Sequence, residues 1–188
     1  MYLLIALVAG VIFAGALLYN SLVRDRNRVD AAWSDIDVQL QRRHDLIPQI
    51  VKAVDRYAGY ERATLEAITA LRAEAMNISD QSQIDRRSET EEELGKQVHR
   101  LLAVAENYPD LQANKNFLNL QKELAETENY LQFARRFYNG SVRQFNTRVE
   151  SIPSNIVASM FGFGPRGFFQ KASDDVANVP LVKLGTIE

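Results

Sequence analysis

The feature that most constrains this chain is the joint around Tyr19 to Val54, where a charge-free apolar run passes without a linker into a charged, strongly helical segment. No charged side chain occurs between Met1 and Val23, and Tyr2 to Leu18 is almost wholly apolar apart from Gly10 and Gly15. As a helix rising 1.5 Å per residue, this run covers about 30 Å, enough for the hydrocarbon core of a bilayer. Residues 1–23 are therefore expected to form a transmembrane helix. A cleaved signal peptide is the competing reading, but the basic segment that should precede its apolar stretch is missing. Tyr19 stands where an interfacial aromatic belongs, and Arg24, Arg26 and Arg28 follow it. Because Lys and Arg alone weigh in the positive-inside rule, the remainder of the chain is expected on the cytoplasmic side.

Beyond Val23 the apolar residues Leu22, Val29, Ile36, Ile50 and Tyr57 share one seven-residue repeat, interrupted by Arg43, while Trp33, Leu40, Ile47 and Val54 share a second. Two adjacent seams make one wide apolar face. With no Gly or Pro after the span, the helix should leave the bilayer rigidly and continue to Pro48. Proline removes a backbone donor and disfavours helical geometry at the residue before it, so a kink or break is expected there. Gly59 offers a second bend.

Glu61 to Met76 reads as another helix with Leu65, Ile68, Leu71 and Ala75 inward. Asn77 to Arg87 is the best loop, and Ser88-Glu89-Thr90-Glu91 resembles a capping box opening the next helix. Glu91, Glu92 and Glu93 then oppose the helix dipole in its first turn. Leu94, Val98, Leu101, Leu102 and Ala105 give that helix its inner face, up to Tyr108-Pro109-Asp110. A last long helix, Leu111 to about Glu150, carries Phe117, Leu124, Leu131, Tyr138 and Phe145 at seven-residue spacing, with Leu120, Thr127, Ala134 and Ser141 between them. Large residues alternating with small ones suit antiparallel bundle packing better than a two-stranded zipper. Asn139-Gly140 weakens this helix locally without breaking its register.

The fold class that follows is all-α: an N-terminal transmembrane helix continuous with an antiparallel three- to four-helix bundle of long, coiled-coil-like helices, plus an irregular Phe/Gly-rich C-terminal tail. The expected divisions are 1–23 for the span, 24–151 for the bundle and 152–188 for the tail. Within the tail, Ser154 could cap a short apolar turn through Ile156, Val157, Met160 and Phe161, and Val176 to Leu184 could be extended. The stretch Ser154 to Phe169 is too rich in apolar side chains to stay uncovered. It caps the bundle's own core, lies in the membrane interface, or docks on a neighbouring subunit.

Composition narrows the function classes. With 22 basic and 24 acidic residues and a formal charge of -2, there is no basic field to collect nucleic acid. The chain has no Cys, which removes disulfides, thiolate metal sites and Cys nucleophiles. Its two histidines, His44 and His99, lack zinc-site spacing and are read as solvated helix-surface residues. Asp30 and Asp37 read as a surface pair, Arg42-Arg43 and Arg135-Arg136 as solvated faces. No P-loop or nucleophile-elbow motif is present, and Gly162, Gly164 and Gly167 are interleaved with Phe, unlike a phosphate cradle. No catalytic, cofactor-binding or metal-binding residue is assigned, and no cofactor is expected.

Taken together, Tyr19-Asn20, Leu22-Val23, Arg26-Asn27-Arg28-Val29-Asp30, Ala32-Trp33-Ser34, Ile36-Asp37-Val38-Gln39-Leu40 and Arg42 to Pro48 carry a resemblance. It continues through Tyr57, Glu61, Tyr108-Pro109-Asp110-Leu111, Ala113, Phe117, Thr127-Glu128, Arg135-Arg136, Tyr138-Asn139, Pro153, Gly162-Phe163 and Phe168-Phe169. Over nearly its whole length, up to Phe169, the chain resembles the LemA family of bacterial membrane-anchored helical proteins. The resemblance implies a single-pass protein of the inner (plasma) membrane with a cytoplasmic helical bundle, and no established activity or catalytic residue. The family's relation to magnetosome-membrane proteins of similar architecture hints at membrane organisation.

The reading that results is a non-catalytic membrane-anchored scaffold or adaptor. Its expected partners are the lipid bilayer, further copies of itself as a homo-oligomer, and another membrane protein, with no nucleic acid. The alternative is a membrane-tethered sensor whose bundle takes a ligand or partner between its helices near Pro48.

Overall fold

A computed structural model describes residues 1–58, 62–78 and 83–169. It is all-α, with α1 at Tyr2–Ala58, α2 at Arg62–Asn77, α3 at Ile84–Ala105, α4 at Pro109–Gln112, α5 at Lys115–Glu150 and α6 at Ser154–Met160. No strand occurs among the described residues.

The 57-residue α1 is one unbroken helix, about 85 Å long by its rise. Its first two-thirds of a span, up to Ala14, is exposed all round, as a helix made for lipid must be when nothing else covers it. Burial begins at Leu22 and recurs at Val29, Ala32, Trp33, Ile36 and Leu40, each no more than 7% exposed. The two seams read from the sequence thus become the inner face of the bundle.

The expected break at Pro48 does not occur, and α1 passes through it to Ala58. Proline leaves the His44 carbonyl, four residues back, without an intrahelical donor. Arg72 on α2 supplies one, its Nε donating to the His44 oxygen at 2.6 Å. A neighbouring helix therefore satisfies the group whose loss would otherwise favour a break. The bend anticipated at Gly59 lies outside the described residues, as does the extended segment anticipated in 176–184.

Helices α1 and α5 make the main interface and run antiparallel. Successive contacts along α1 meet α5 in reverse order: Asp25 with Arg148, Arg28 with Gln144, Trp33 with Tyr138, and Arg43 with Glu128. Helix α2 returns toward the N-terminal end of α1 and α3 climbs again beside α1, with Arg87 on Asp37 and Glu91 on Arg43 and His44. The short α4 and the Asn114 cap, whose side chain accepts from the Asn116 and Phe117 amides, turn the chain into α5. The outcome is an antiparallel four-helix bundle, α1, α2, α3 and α5.

Only its far half has four helices. There Leu46, Ile47, Ile50 and Val54 pack with Leu65, Ile68, Leu94, Leu101, Phe117 and Leu124. The near half is a stem of α1 and α5, in which Leu22, Val29, Trp33 and Ile36 meet Leu131, Tyr138, Val142 and Phe145. The tail covers the flank that two helices leave open. Phe169 is fully buried against Trp33, with ring centroids 5.9 Å apart. The Tyr138 hydroxyl donates to the Gly167 carbonyl at 3.0 Å. Asn146 exchanges two hydrogen bonds with the Arg166 backbone, and the Phe169 amide donates to Asn139 Oδ1 at 2.9 Å.

The region before α3 differs from the sequence expectation. Helix α3 begins at Ile84, so Ser88 and Glu91 lie inside it and both are buried. The Gln83 cap makes no side-chain hydrogen bond, and Ser88-Glu91 does not form a capping box. Ser154 opens α6, but its hydroxyl donates to the Arg148 and Ser151 carbonyls, closing the end of α5 instead of capping α6.

Candidate functional site

Between the two apolar clusters lies a belt of buried charge. Arg43 falls on the Leu22 seam where an apolar residue would continue the repeat, and it is 2% exposed. A long cation at that depth needs both space and counter-charge. Space comes from Gly95 on α3, where an added Cβ would overlap Arg43 Nη2 and lie 3.5 Å from its Cζ. Counter-charge comes from two helices, since Arg43 Nη1 donates to Glu91 Oε2 at 3.4 Å and its Nε faces Glu128 Oε1 at 3.0 Å. The other Glu91 oxygen is 2.8 Å from His44 Nε2. Glu91 is wholly buried, a position tolerable for a carboxylate only with partners this close.

Arg135 flanks the belt with its guanidinium carbon 4.9 Å from the Phe169 ring centre. Burial, followed by repulsion from Arg43, lowers its pKa, while Glu128 and Glu91 oppose that shift. On the other side Arg87 reaches Asp37 at 2.6 Å and stacks on Trp33 with 5.1 Å between guanidinium and ring centre. Nearer the apolar end of α1, Arg148 pairs with Asp25 at 2.6 Å and contacts the Ser21 hydroxyl. Helices α1 and α5 are thus pinned by ion pairs at two heights.

The chemistry open to the belt is limited by access. A His44–Glu91 pair could relay a proton, but neither side chain exceeds 4% exposure. No hydroxyl or thiol nucleophile is among the groups bonded to the pair. Among the described residues no group of three His, Cys, Asp or Glu side chains is placed to hold a metal ion. In a cleft of about 470 Å³ beside it, the paired groups Asp37, His44 and Arg87 share the wall with apolar side chains such as Leu40, Met76 and Ile78. The arrangement suits fixing helices relative to one another.

These positions correct two sequence readings. His44 and Arg43 are core residues, because their partners come from α3 and α5, and Arg135 is half-buried over Phe169 in place of the solvated residue expected, whereas His99, Arg42 and Arg136 are exposed as expected. Asp30 and Asp37 do not pair with each other but meet Arg166 and Arg87. Sequence reasoning missed Glu91 altogether as a buried anion. The available signal was Arg43 interrupting an otherwise apolar seam, which requires a carboxylate from elsewhere in the chain.

A second feature is exposed. On α5, Tyr130, Phe133 and Phe137 point outward at 55, 62 and 46% exposure, forming one stripe at helical spacing. Arg136 lies over Phe133 and Arg28 over Phe137, at 4.7 and 5.2 Å from the ring centres.

The chain is similar in sequence to known proteins. The chain is 27% identical to Protein LemA of Metamycoplasma hominis over 169 residues, covering 88% of this chain and 74% of that protein. It is 24% identical to Magnetosome protein MamQ 2 of Paramagnetospirillum magneticum, covering 90% of this chain and 71% of the relative. With Magnetosome protein MamQ of Magnetospirillum gryphiswaldense it shares 22% identity over the same proportions. The LemA family model matches residues 32–184, from the stem through the bundle and into the tail, and the chain belongs to the LemA family.

Proposed function

We propose that this protein is a non-catalytic, membrane-anchored scaffold that self-assembles through the outer face of α5. It is held in the inner membrane by the first turns of α1, with the bundle in the cytoplasm. The observation that carries the reading is the aromatic stripe Tyr130, Phe133 and Phe137, exposed on a helix whose opposite face is fully engaged. Aromatic side chains rimmed by Arg are the composition of interface centres. The continuous α1 supports the same reading, because it would set the height and direction of that face above the bilayer. The relatives named as magnetosome proteins support a role associated with membranes. Orientation rests on Arg24, Arg26 and Arg28 beside the span.

The test is the mass of the full-length protein in mild detergent. A discrete oligomer is expected, reduced to a monomer by Phe133→Glu with Phe137→Glu at unchanged helicity. A monodisperse wild-type monomer overturns the assembly. Deleting residues 153–169 would be a poorer test, because it also strips Phe169 from the core. Protease accessibility in intact cells checks the orientation.

One observation favours the sensor reading. A groove of about 990 Å³ runs between α1 and α2, lined by Pro48, Val51, Lys52, Asp55, Leu65 and Thr69. A ligand there would select the folded state and raise its thermal midpoint. A screen of metals and small metabolites that finds no stabilisation counts against this alternative.

A further inference from the structure

Helix α6 lies beside the point where α1 leaves its apolar run. Its start is tied by Ser154 to the Arg148 carbonyl, and Arg148 in turn holds Ser21 and Asp25. Just past its end, the Phe161 ring sits 4.7 Å from Tyr19, and Phe163 packs 5.8 Å from the same tyrosine. Both ends of α6 are therefore fastened to Tyr19–Asp25, a stretch rising only about 9 Å along α1. The inward face is small, with Ser154 and Ala158 buried. The outward face is large and apolar: Ile156 and Met160, one turn apart on α6, are 60 and 74% exposed, and Ile152 just before the helix and Phe161 just after it add 83 and 59%.

We infer that α6 with Phe161 is a second membrane contact, an interfacial element that lays Ile152, Ile156, Met160 and Phe161 into the headgroup boundary of the bilayer that α1 crosses. The inference rests on the membrane anchoring proposed above. Three observations select lipid as the occupant. The exposed face continues the bare apolar surface of α1, the junction being Tyr19 against Phe161. Arg24 and Arg26 follow Tyr19 within two turns of α1, and the Arg26 guanidinium lies 5.4 Å from the centre of the Phe163 ring, so basic side chains stand at the level of anionic headgroups. The apolar stripe is made of aliphatic and Phe side chains, the types that bury in that boundary. A single span leaves a rod free to tilt and spin; a side contact restricts both. In this arrangement the tail does two jobs, since Phe163 and Phe169 complete the stem while Phe161 and α6 face the lipid.

The natural absence of Cys allows single labels. The full chain carrying Ile156→Cys, Met160→Cys, Leu17→Cys or Ala103→Cys, each bearing an environment-sensitive fluorophore, is reconstituted into vesicles of phosphatidylcholine and phosphatidylglycerol. Quenching is read with lipids bearing a nitroxide near the headgroup and, separately, with aqueous iodide. The proposal expects labels at 156 and 160 to be quenched severalfold more by the lipid nitroxide than the label at 103, and severalfold less by iodide. Labels at 156 and 160 that behave like the one at 103, while the label at 17 is quenched by lipid, overturn it. So does protection from both quenchers, which would mean that protein covers the face. If the label at 17 is itself untouched by the lipid nitroxide, the anchoring reading fails instead.

Discussion

Replacing Glu91 by Gln tests whether the belt is a balanced set of charges or a set of incidental contacts. The substitution keeps size and one acceptor oxygen but removes the charge that faces both Arg43 and His44. Breaking a buried ion pair from one side costs about 3–5 kcal/mol, because the surviving charge is stranded. Glu128 remains 3.0 Å from Arg43 and is itself 23% exposed, so the stranding is partial. The lower end, about 3 kcal/mol, is therefore expected. With a urea slope of about 2 kcal/mol/M, the midpoint falls by about 1.5 M. The single tryptophan, Trp33, sits in the near cluster against Tyr138 and Phe169 and reports bundle unfolding in detergent while the span stays helical. Circular dichroism must follow the same transition for the free energy to be meaningful. The companion variant replaces both partners, Arg43→Met with Glu91→Leu. Matched apolar replacement removes the desolvation cost together with the attraction but leaves His44 without its Glu91 partner, so stability should return to within about 2 kcal/mol of wild type. A Glu91→Gln midpoint within about 0.3 M of wild type, or a double variant as weak as the two single changes added, would refute the argument.

Gly95→Ala would ordinarily gain about 1 kcal/mol in a helix interior, but here the methyl group overlaps Arg43, and a net loss of about 1–2 kcal/mol is expected by thermal melting. In the Arg43→Met background the same change should become stabilising, and a loss in both backgrounds would contradict the packing account. Arg72→Met removes the donor to the His44 carbonyl and should cost about 1.5 kcal/mol, a penalty that shrinks when Pro48→Ala restores an intrahelical N–H. A double-mutant cycle with coupling below about 0.5 kcal/mol would show that the two features are unrelated. Burial pushes the Tyr138 hydroxyl from its ordinary 10.0 up to about 12, so the folded state holds that proton more tightly than the unfolded state does. Its contribution is whole below pH 10 and is lost as pH rises to about 12, by at most about 3 kcal/mol, and Tyr138→Phe should flatten that alkaline slope in urea titrations.

What the sequence reveals here is what periodicity can carry. The heptad seams of α1 and α5 place Val29, Ile36, Leu131 and Tyr138 inside, and each is buried. Periodicity cannot say who meets whom across the bundle. Arg43 therefore reads as an interruption and Glu91 as part of a helix start, since the partners are 48 positions apart. Pro48 shows the same limit, because the local steric rule is correct and a donor from α2 answers it. Asn139, read as a weak point in α5, is the acceptor that holds the Phe169 amide. The α6 region is legible as apolar and in need of cover, but its height at Tyr19 emerges only when α5 returns to the base of the stem.

The belt also answers a question that the apolar pattern leaves open. Phe117, Leu124, Leu131, Tyr138 and Phe145 repeat every seven residues, so sliding α5 by one heptad along α1 still sets large side chains against an apolar seam. The ionic layer does not tolerate that slip. One direction brings Arg135 opposite Arg43, a like-charge contact in the core, and the other brings the neutral Gln121 and leaves Arg43 without the Glu128 counter-charge. Polar core groups can fix register in helical assemblies at some expense of stability, and this geometry casts Arg43, Glu91 and Glu128 in that role. On the proposed anchoring, register matters more here than in a free bundle, since α1 would also fix how far every other helix stands from the membrane. The apolar pair Arg43→Met with Glu91→Leu should therefore separate stability from uniqueness. If the belt sets register, the variant keeps most of the wild-type stability but gives more than one set of methyl resonances in the bundle, or exchanges amide protons faster in α5. A single, wild-type-like spectrum would assign register to the loops and the tail contacts instead.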